Sequence, residues 1–241
     1  MKKNPAKTII ILANGGDPNA RLLGERWGAD KVRLMTPNDL SMPGWIYQPG
    51  MESRSVAIVS GQKIFTKDIQ GVITRLTWVY EHDLPHIVPL DRAYVASEMN
   101  AFLLSWLTEL PCPVLNRPTP TGLSGPWWRH EKWQHKASQV GFSLAPTYLS
   151  DGSSSHALRA QMATYLPASV TIIGKRQFGE APRAVVRRAR LLADSAGIDM
   201  ITIYFSTHGS NYYFNRASLV CDEVTHEIAD AMHNYLHNDK S

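Results

Sequence analysis

The sequence predicts an α/β protein that has a parallel sheet in its first half and an α+β arrangement with hairpins in its second half. The first observation behind this prediction is the continuous apolar, β-branched segment at residues 7–14, which stops at Gly15 and Gly16. A segment of this kind is typical of a central parallel strand that is buried on both faces. The second observation is that strand-like and helix-like segments alternate through the first half, as they do in a sheet with crossover helices.

The elements of the first half follow one another in a regular order. Ser60, Gly61 and Gln62 predict a hairpin turn, and Pro111 ends a long helical pattern because proline removes a backbone donor. This alternation predicts a Rossmann-like parallel sheet. The predicted elements are a strand at 7–14, a helix at 18–28, a strand at 31–37, the hairpin around 60–62, a strand at 72–76, a helix at 91–110 and a strand at 113–116.

The second half begins with a Pro- and Gly-rich connector at residues 117–126. We take this connector as the seam between two predicted domains, at residues 1–117 and 118–241. The predicted elements after it are a helix at 127–141, a strand at 145–152, a helix at 153–166, a strand at 169–175 with a hairpin after Gly174, a helix at 181–197, a hairpin at 198–214 and a closing helix at 222–237.

Composition and charge are those of an ordinary globular protein and argue against several classes of protein. The 241 residues are 44% hydrophobic and 19% charged, and the net charge of +4 is too small to predict nucleic-acid binding. No segment approaches the roughly 20 apolar residues that a membrane-spanning helix needs. Cys112 and Cys221 lack metal-site spacing and are predicted to be buried free thiols in a reducing compartment. We therefore expect a cytoplasmic protein that binds neither nucleic acid nor membrane.

Candidate ligand-binding residues in the first half follow apolar elements. Asn14, Gly15 and Gly16 come directly after the first strand, where α/β folds bind ligands, although a tight strand-to-helix turn is the simpler explanation. Arg75 and Arg92 lie at the ends of apolar elements. An arginine in such a place can bind a substrate carboxylate through two hydrogen bonds, or it can pair inside the fold with Asp91 or Glu98.

Two groups in the second half are candidates for binding a partner or an anion. Trp127 and Trp128, close to Trp133, are either core residues or an exposed aromatic anchor for a partner. Arg183, Arg187 and Arg190 recur at helical spacing and form one face. That face is either solvated, which is the ordinary outcome for charged residues, or it binds phosphate or an acidic partner.

The closing helix carries a stripe of ionisable residues. His233 and His237 are spaced so that both could ligate one metal ion, with His226 on the same stripe. The simpler interpretation is the solvated face of an amphipathic helix, because the sequence shows no third ligand with a known position. We therefore expect no metal and keep these three histidines as weak candidates.

The order of motifs resembles that of ATP-grasp ligases. The segments "GVITRL", "LDRAYVASEMNAFLLSWL" and "CPVLNRPTPTGLSGPWWRHEKWQHKASQVGFSLAPTYLS" resemble the first part of the family, and "AGIDMITIYFSTHGSNYYF" with "EIADAMHNYL" resembles its end. The branch that looks most similar contains ribosomal-peptide-modifying ligases and glutamate-adding ligases of the RimK type. The matching positions are Val114, Leu115, Asn116, Ala137, Gly141, Phe142, Pro146 and Thr147.

The resemblance implies a Rossmann-like pre-ATP-grasp domain followed by an ATP-grasp α+β domain, and the chain departs from that pattern twice. The interval between Thr147 and Gly197 is too short for the usual central lobe, and it retains Lys175 as a candidate phosphate-binding lysine. The family's magnesium-binding Glu-x-Asn falls on Arg216 and Ser218, and arginine cannot ligate a cation. Arg216 could instead hold an anion, such as the carboxylate of Asp199 or an acidic ligand.

These departures predict a truncated, non-catalytic relative that needs neither ATP nor magnesium and binds a substrate, a peptide or a partner enzyme in a biosynthetic pathway. We also expect a homodimer, because the family often pairs and a shortened fold has apolar surface to cover. The alternative is an active ATP-dependent carboxylate–amine ligase with an atypical nucleotide site, in which Lys175, Arg183 and Arg187 hold the phosphates with magnesium.

Overall fold

The computed structural model describes residues 7–28, 30–51, 54–144 and 166–237. The chain forms two compact units, of which the first comprises residues 1–127 and 222–241 and the second residues 128–221. The 117–126 connector and the closing helix thus lie with the first unit, whereas the sequence-based division assigned both to the second domain. The division into domains at residues 1–117 and 118–241 stays a prediction.

The first unit is built on a four-stranded parallel sheet in the order β2-β1-β5-β6. Strand β1 lies inside the sheet, and residues 9–12 are buried, as the apolar segment predicted. The predicted parallel sheet is therefore confirmed. The strands are β1 (Thr8–Leu12), β2 (Val32–Met35), β5 (Ile69–Thr74) and β6 (Val114–Leu115).

A hairpin of β3 (Val56–Val59) and β4 (Gln62–Phe65) precedes β5 in the chain. Its two turn residues, Ser60 and Gly61, have φ angles of 51° and 71°. Two positive φ angles are required by the type I′ turn that suits the twist of a two-residue hairpin. The turn predicted at this position is confirmed, and the Ser60 hydroxyl donates to the carbonyl oxygen of Leu34 over 2.8 Å.

The helices of the first unit cover both faces of the sheet. The apolar face of α3 supplies Leu103, Trp106 and Leu107 to one core cluster with Ile10 and Val72. On the other face, a Cβ atom on Gly71 would lie 2.9 Å from Leu236, so this position accepts only glycine without a shift of the closing helix. The helices are α1 (Pro18–Trp27), the short α2 (Pro37–Leu40), α3 (Arg92–Glu109) and the closing helix, which is α6.

The second unit is a five-stranded sheet in the order β7-β11-β10-β8-β9, with helices α4 (His130–Gln139) and α5 (Arg183–Ala196) on one face. Its strands are antiparallel apart from β7, which pairs parallel with β11. Both hairpins predicted for this half are confirmed. The strands are β7 (Ser143–Leu144), β8 (Leu166–Ile173), β9 (Arg176–Phe178), β10 (Met200–His208) and β11 (Asn211–Ser218).

Two predicted helix starts are wrong. Helix α4 begins at His130 instead of residue 127, because Arg129 is extended and the Trp127 amide donates to the Thr121 hydroxyl. The closing helix α6 (His226–His237) begins after residue 222, because the Asn19 side chain binds the backbone of the preceding segment at Asp222 and Val224.

Two predicted elements lie outside the described residues. These are the strand at 145–152 and all but the last residue of the helix at 153–166, whereas Leu166 begins strand β8. Within the described ranges, no helix has both the length and the apolar character needed to span a membrane.

Candidate functional site

The carboxyl edge of the parallel sheet contains a topological switch point. From β1 the chain passes through α1 to β2 on one side, while β5 pairs with β1 on the other side. Open α/β sheets bind ligands in the crevice at such a point, outside the carboxyl ends of the strands. Asn14, Gly15, Gly16 and Asp17 follow β1 there, and Arg75 follows β5.

Asp17 and Arg75 meet at this edge. One Asp17 carboxylate oxygen accepts the amides of Asn19 and Ala20 at 2.9 and 3.1 Å, and so caps α1. The other accepts from Arg75 Nε at 2.7 Å, with the two side chains 16% and 6% exposed. Arg75 therefore pairs with Asp17 instead of the predicted Asp91 or Glu98. A helix N-terminus in this place attracts anions, and here the anion is the chain's own carboxylate.

The remaining candidates of the first unit have structural surroundings. Gly15 and Gly16 are exposed and have open space where a Cβ would lie, so the turn does not require glycine. Arg92 donates to the carbonyl oxygens of Ile87 and Pro85 at 2.9 and 3.1 Å and thereby holds the turn before α3. Asn116 is buried at the end of β6. Ligand binding by these residues and by Asn14 stays a prediction.

One face of the second-unit sheet is polar. Phe205 and Phe214 point to the helix-covered core, so strand alternation directs Tyr204 to the opposite face. Arg216, paired with Tyr204 across β10 and β11, holds its guanidinium carbon 3.6 Å from the centre of that ring. This contact is a cation–π interaction, which directs the Arg216 side chain along the sheet face.

Neighbouring polar groups on this sheet bond to each other. The buried hydroxyls of Thr171 and Thr202 lie 2.9 Å apart, and Asn215, at the irregularity in β11, donates to the Ser206 hydroxyl at 2.7 Å. Strand β11 contains no Asp or Glu. The arrangement therefore presents a fixed cation and neutral hydrogen-bonding groups, which suits an anion better than a metal ion.

Positive charge is concentrated in the second unit. Residues 128–221 contain eleven Lys and Arg against five Asp and Glu, whereas the rest of the chain contains fourteen against sixteen. Arg183 and Arg187 are exposed on α5, on the side opposite its buried Val185, Val186 and Ala189. Arg190 donates to the carbonyl oxygen of Lys175 at 2.7 Å, which fixes the β8–β9 turn beside α5.

The two adjacent tryptophans have different surroundings. Trp128 is partly buried in the second unit, with its ring 4.8 Å from that of Trp133 and the Lys132 ammonium 4.3 Å from its ring centre. Trp127 belongs to the first unit and is 61% exposed. Trp128 is therefore a packing residue, and Trp127 is the one available as an aromatic anchor.

The histidines of α6 do not form a metal site among the described residues, where no group of three or more His, Cys, Asp or Glu is positioned to hold a metal ion. His237 Nδ1 lies 2.8 Å from the His233 carbonyl oxygen, and the two rings are 4.1 Å apart. On the same helix Asp230 accepts two hydrogen bonds from Arg26, at 2.9 and 2.7 Å. The stripe therefore packs α6 against α1.

Stability is expected to fall below neutral pH through His233. Burial against Trp27, and then the nearby charges of His237 and Lys31, hold the pKa of His233 below its usual 6.5, although Asp230 acts in the opposite direction. A histidine with a depressed folded-state pKa takes up its proton more readily when unfolded, so stability decreases as pH falls through 6.5 towards the folded-state pKa.

Urea unfolding at about pH 7.5 and about pH 5.5 measures this decrease. The variant His233→Asn should show a smaller difference between the two conditions, whereas the exposed His130→Asn should behave like the unmodified protein. An equal pH dependence in all three proteins would contradict the assignment to His233.

Comparison of the sequence with protein-family models and with curated proteins finds no match. The fold, however, matches solved structures of ATP-grasp ligases. The macrocyclase MdnC from Microcystis aeruginosa MRC, bound with its precursor peptide MdnA, aligns with a TM-score of 0.68 at 12% identity, over 96% of this chain and 100% of that one. The macrocyclase MdnB from the same organism aligns with a TM-score of 0.64 at 14% identity, over 96% and 99%.

A third solved structure has the same fold. The Chryseobacterium gregarium RiPP-associated ATP-grasp ligase, in complex with ADP and a leader and core peptide, aligns with a TM-score of 0.64 at 12% identity, over 95% of this chain and 96% of that one. The chain therefore has the ATP-grasp ligase fold over nearly its whole length. The fold predicted from the resemblance is confirmed, and the predicted shortening of the central lobe stays a prediction.

Sequence reasoning missed the role of Asp17 as helix cap and partner of Arg75. The signal was present, since an Asp directly before Pro18 at the start of a helical pattern is typical of a helix N-cap. The partner of its second carboxylate oxygen lies 58 positions away, and no local pattern identifies it.

Proposed function

We propose that this chain is a non-catalytic, ATP-grasp-like protein, a pseudo-ligase, that binds an acidic peptide in a biosynthetic pathway. The observation that carries the proposal is Arg216, a cation on the polar sheet face of β11. The resemblance to ATP-grasp ligases predicts a magnesium-binding carboxylate at this position. A guanidinium donates hydrogen bonds and repels Mg²⁺. We place this function in the cytoplasm.

Magnesium does not fit the groups found on β11. Magnesium requires oxygen ligands, mainly carboxylates, and phosphoryl transfer depends on it to offset the charge of the phosphates. The strand provides Asn215, Arg216 and Ser218 and no carboxylate. The proposed function therefore includes no catalytic step through a nucleotide. The shortened central lobe between residues 147 and 197 belongs to the same proposal.

Charge supports the choice of an acidic peptide. The excess of Lys and Arg in residues 128–221 and the exposed Arg183 and Arg187 on α5 create a positive field around the second unit. Such a field speeds the encounter with acidic segments and selects against basic ones. Two of the solved structures with this fold contain bound peptides. In the first unit, the exposed Trp127 is the candidate contact for a partner enzyme.

The alternative is an active carboxylate–amine ligase with an atypical nucleotide site. The specific observation in its favour is the bond from Arg190 to the Lys175 carbonyl, which places the β8–β9 turn beside the arginines of α5. In this alternative Lys175, Arg183 and Arg187 hold the phosphates of ATP with magnesium bound elsewhere. Homodimerisation is proposed under either function, and sedimentation of the purified chain measures it.

Calorimetric titration with Mg-ATP and Mg-ADP separates the two functions. We expect no heat up to about 1 mM nucleotide. A working nucleotide site with the micromolar affinity typical of substrate sites would give heat well below that concentration. Micromolar binding that is lost in Lys175→Ala would overturn the non-catalytic proposal and support the ligase.

Reversing charge on α5 is expected to weaken peptide binding at least about tenfold, because two attractive charges become repulsive. The probe is a synthetic Glu-rich peptide carrying one aromatic residue, compared with its Glu→Gln counterpart, and fluorescence anisotropy measures the affinity of Arg183→Glu/Arg187→Glu. The matched control is Arg54→Glu/Lys63→Glu, which makes the same change in net charge on exposed residues of the first unit. Equal weakening by both double variants would show that net charge, and not α5, binds the peptide.

A further inference from the structure

A pocket of about 130 Å³ lies at the amino ends of the parallel strands, at the edge of the sheet opposite the switch point. Ile69 begins β5 there, Pro111 and Pro113 precede β6, and Leu236 lies at the end of α6. A cavity of about 150 Å³ is enough for a ligand the size of benzene. The pocket therefore has room for a ligand of a few heavy atoms.

The ionisable residues that line this pocket favour negative charge. Lys7, Lys67 and His237 all contribute to its wall, and none of the lining residues in the described ranges is acidic. Two ammonium groups at one pocket repel each other unless an anion lies between them. The Lys67 ammonium lies 5.4 Å from the Phe65 ring centre, a weak contact that leaves it able to turn towards a ligand.

The walls of the pocket are held in place by hydrogen bonds. Arg117 donates to the carbonyl oxygens of Leu110 and Cys112 at 3.1 and 2.9 Å, which fixes the Pro111–Pro113 wall. Gln70 donates to the Leu236 carbonyl oxygen at 3.2 Å and ties β5 to the end of α6. A preformed site loses less entropy when a ligand binds.

Cys112 gives the pocket a neutral sulfur. Burial raises the pKa of its thiol to about 11, although the charges of Arg117 and Lys7 act in the opposite direction. The group is therefore a protonated thiol at neutral pH, which is neither a nucleophile nor a metal ligand. The chemistry available in the pocket is the binding of an anion by the two lysines.

We propose that this pocket binds a small oxyanion, either phosphate or a short carboxylate, through Lys7 and Lys67. The site lies wholly within the first unit and does not rest on the peptide-binding function proposed for the second unit. Loss of oxyanion binding and loss of peptide binding are therefore separate results.

Calorimetry of the full chain in a chloride buffer free of oxyanions tests the proposal, with inorganic phosphate and acetate as the two probes. We expect one of them to bind with a dissociation constant below about 1 mM. The probe that binds more tightly identifies the oxyanion as phosphate or carboxylate. Lys7→Ala/Lys67→Ala should weaken that binding at least about tenfold, while Lys7→Arg/Lys67→Arg keeps it. The exposed Lys63→Ala, on β4 outside the pocket, should leave it unchanged.

Either of two results would overturn the assignment. The first is an absence of heat with both probes up to about 10 mM, a concentration well above the affinity expected of a formed site. The second is equal weakening by Lys63→Ala and by the double alanine variant, which would show an adventitious ion only. The substituted lysines are exposed, so these variants are expected to fold, and circular dichroism checks that they do.

Discussion

Replacing Asp17 by Ala is expected to lower the free energy of unfolding by about 3–5 kcal/mol, the range for breaking a largely buried ion pair. The carboxylate serves two groups at once, since it caps α1 through the amides of Asn19 and Ala20 and accepts from Arg75 Nε. Loss of the cap alone costs about 1 kcal/mol. The larger share of the lost stability arises because the Arg75 guanidinium, whose side chain is only 6% exposed, loses its ion pair with Asp17.

Urea unfolding of Asp17→Ala, Arg75→Met and the double variant separates the two contributions. Asp17→Asn is the matched control, because its amide oxygen still caps the helix while the charge is removed. We expect Asn to recover about 1 kcal/mol relative to Ala, the value of the cap. A double variant as unstable as the sum of both single variants would contradict the coupling of the pair.

Replacing Asn100 by Leu is expected to destabilise the first unit by about 3 kcal/mol, because buried backbone groups lose their partners. Asn100 on α3 is only 2% exposed. Its carboxamide accepts from the Val79 amide and donates to the carbonyl oxygens of Val79 and Ala96, each at 2.8 Å. Leucine has a similar volume and none of these hydrogen bonds.

The measurement for Asn100→Leu is the urea midpoint, with the exposed Ser97→Leu on the same helix as the control. The control is expected to change stability by no more than about 0.5 kcal/mol, as exposed substitutions usually do. Hydrogen exchange at the Val79 amide gives a second measurement, and it should speed up in Asn100→Leu alone. Unchanged exchange would mean that Asn100 does not hold the segment after β5.

Much of the first unit could be predicted because its signals are local. The apolar segment of β1 can be satisfied only inside a sheet, and the Ser60–Gly61 turn needs residues that tolerate positive φ. The long helix α3 ends at Glu109, two residues before Pro111. Patterns of this kind depend on neighbours in sequence, so the sequence alone contains the information.

The site was less predictable because its contacts join distant positions. Nothing near Arg75 distinguishes Asp17 from Asp91 or Glu98 as its partner, and the choice depends on the adjacent carboxyl ends of β1 and β5. The start of α4 depended on the hydrogen bond between the Trp127 amide and Thr121. The different exposures of Trp127 and Trp128 follow from that change in the path of the chain.

The return of the chain to its first unit has a consequence for biosynthesis. Helix α6 packs against β5 and β6, with Leu236 filling the space above Gly71, yet it is synthesised after all of residues 128–221. A ribosome adds about 5–20 residues per second, so this sheet face stays uncovered for several seconds until α6 has been synthesised. The nascent first unit is therefore incomplete while the second folds, and in that interval it presents its exposed sheet face to chaperones.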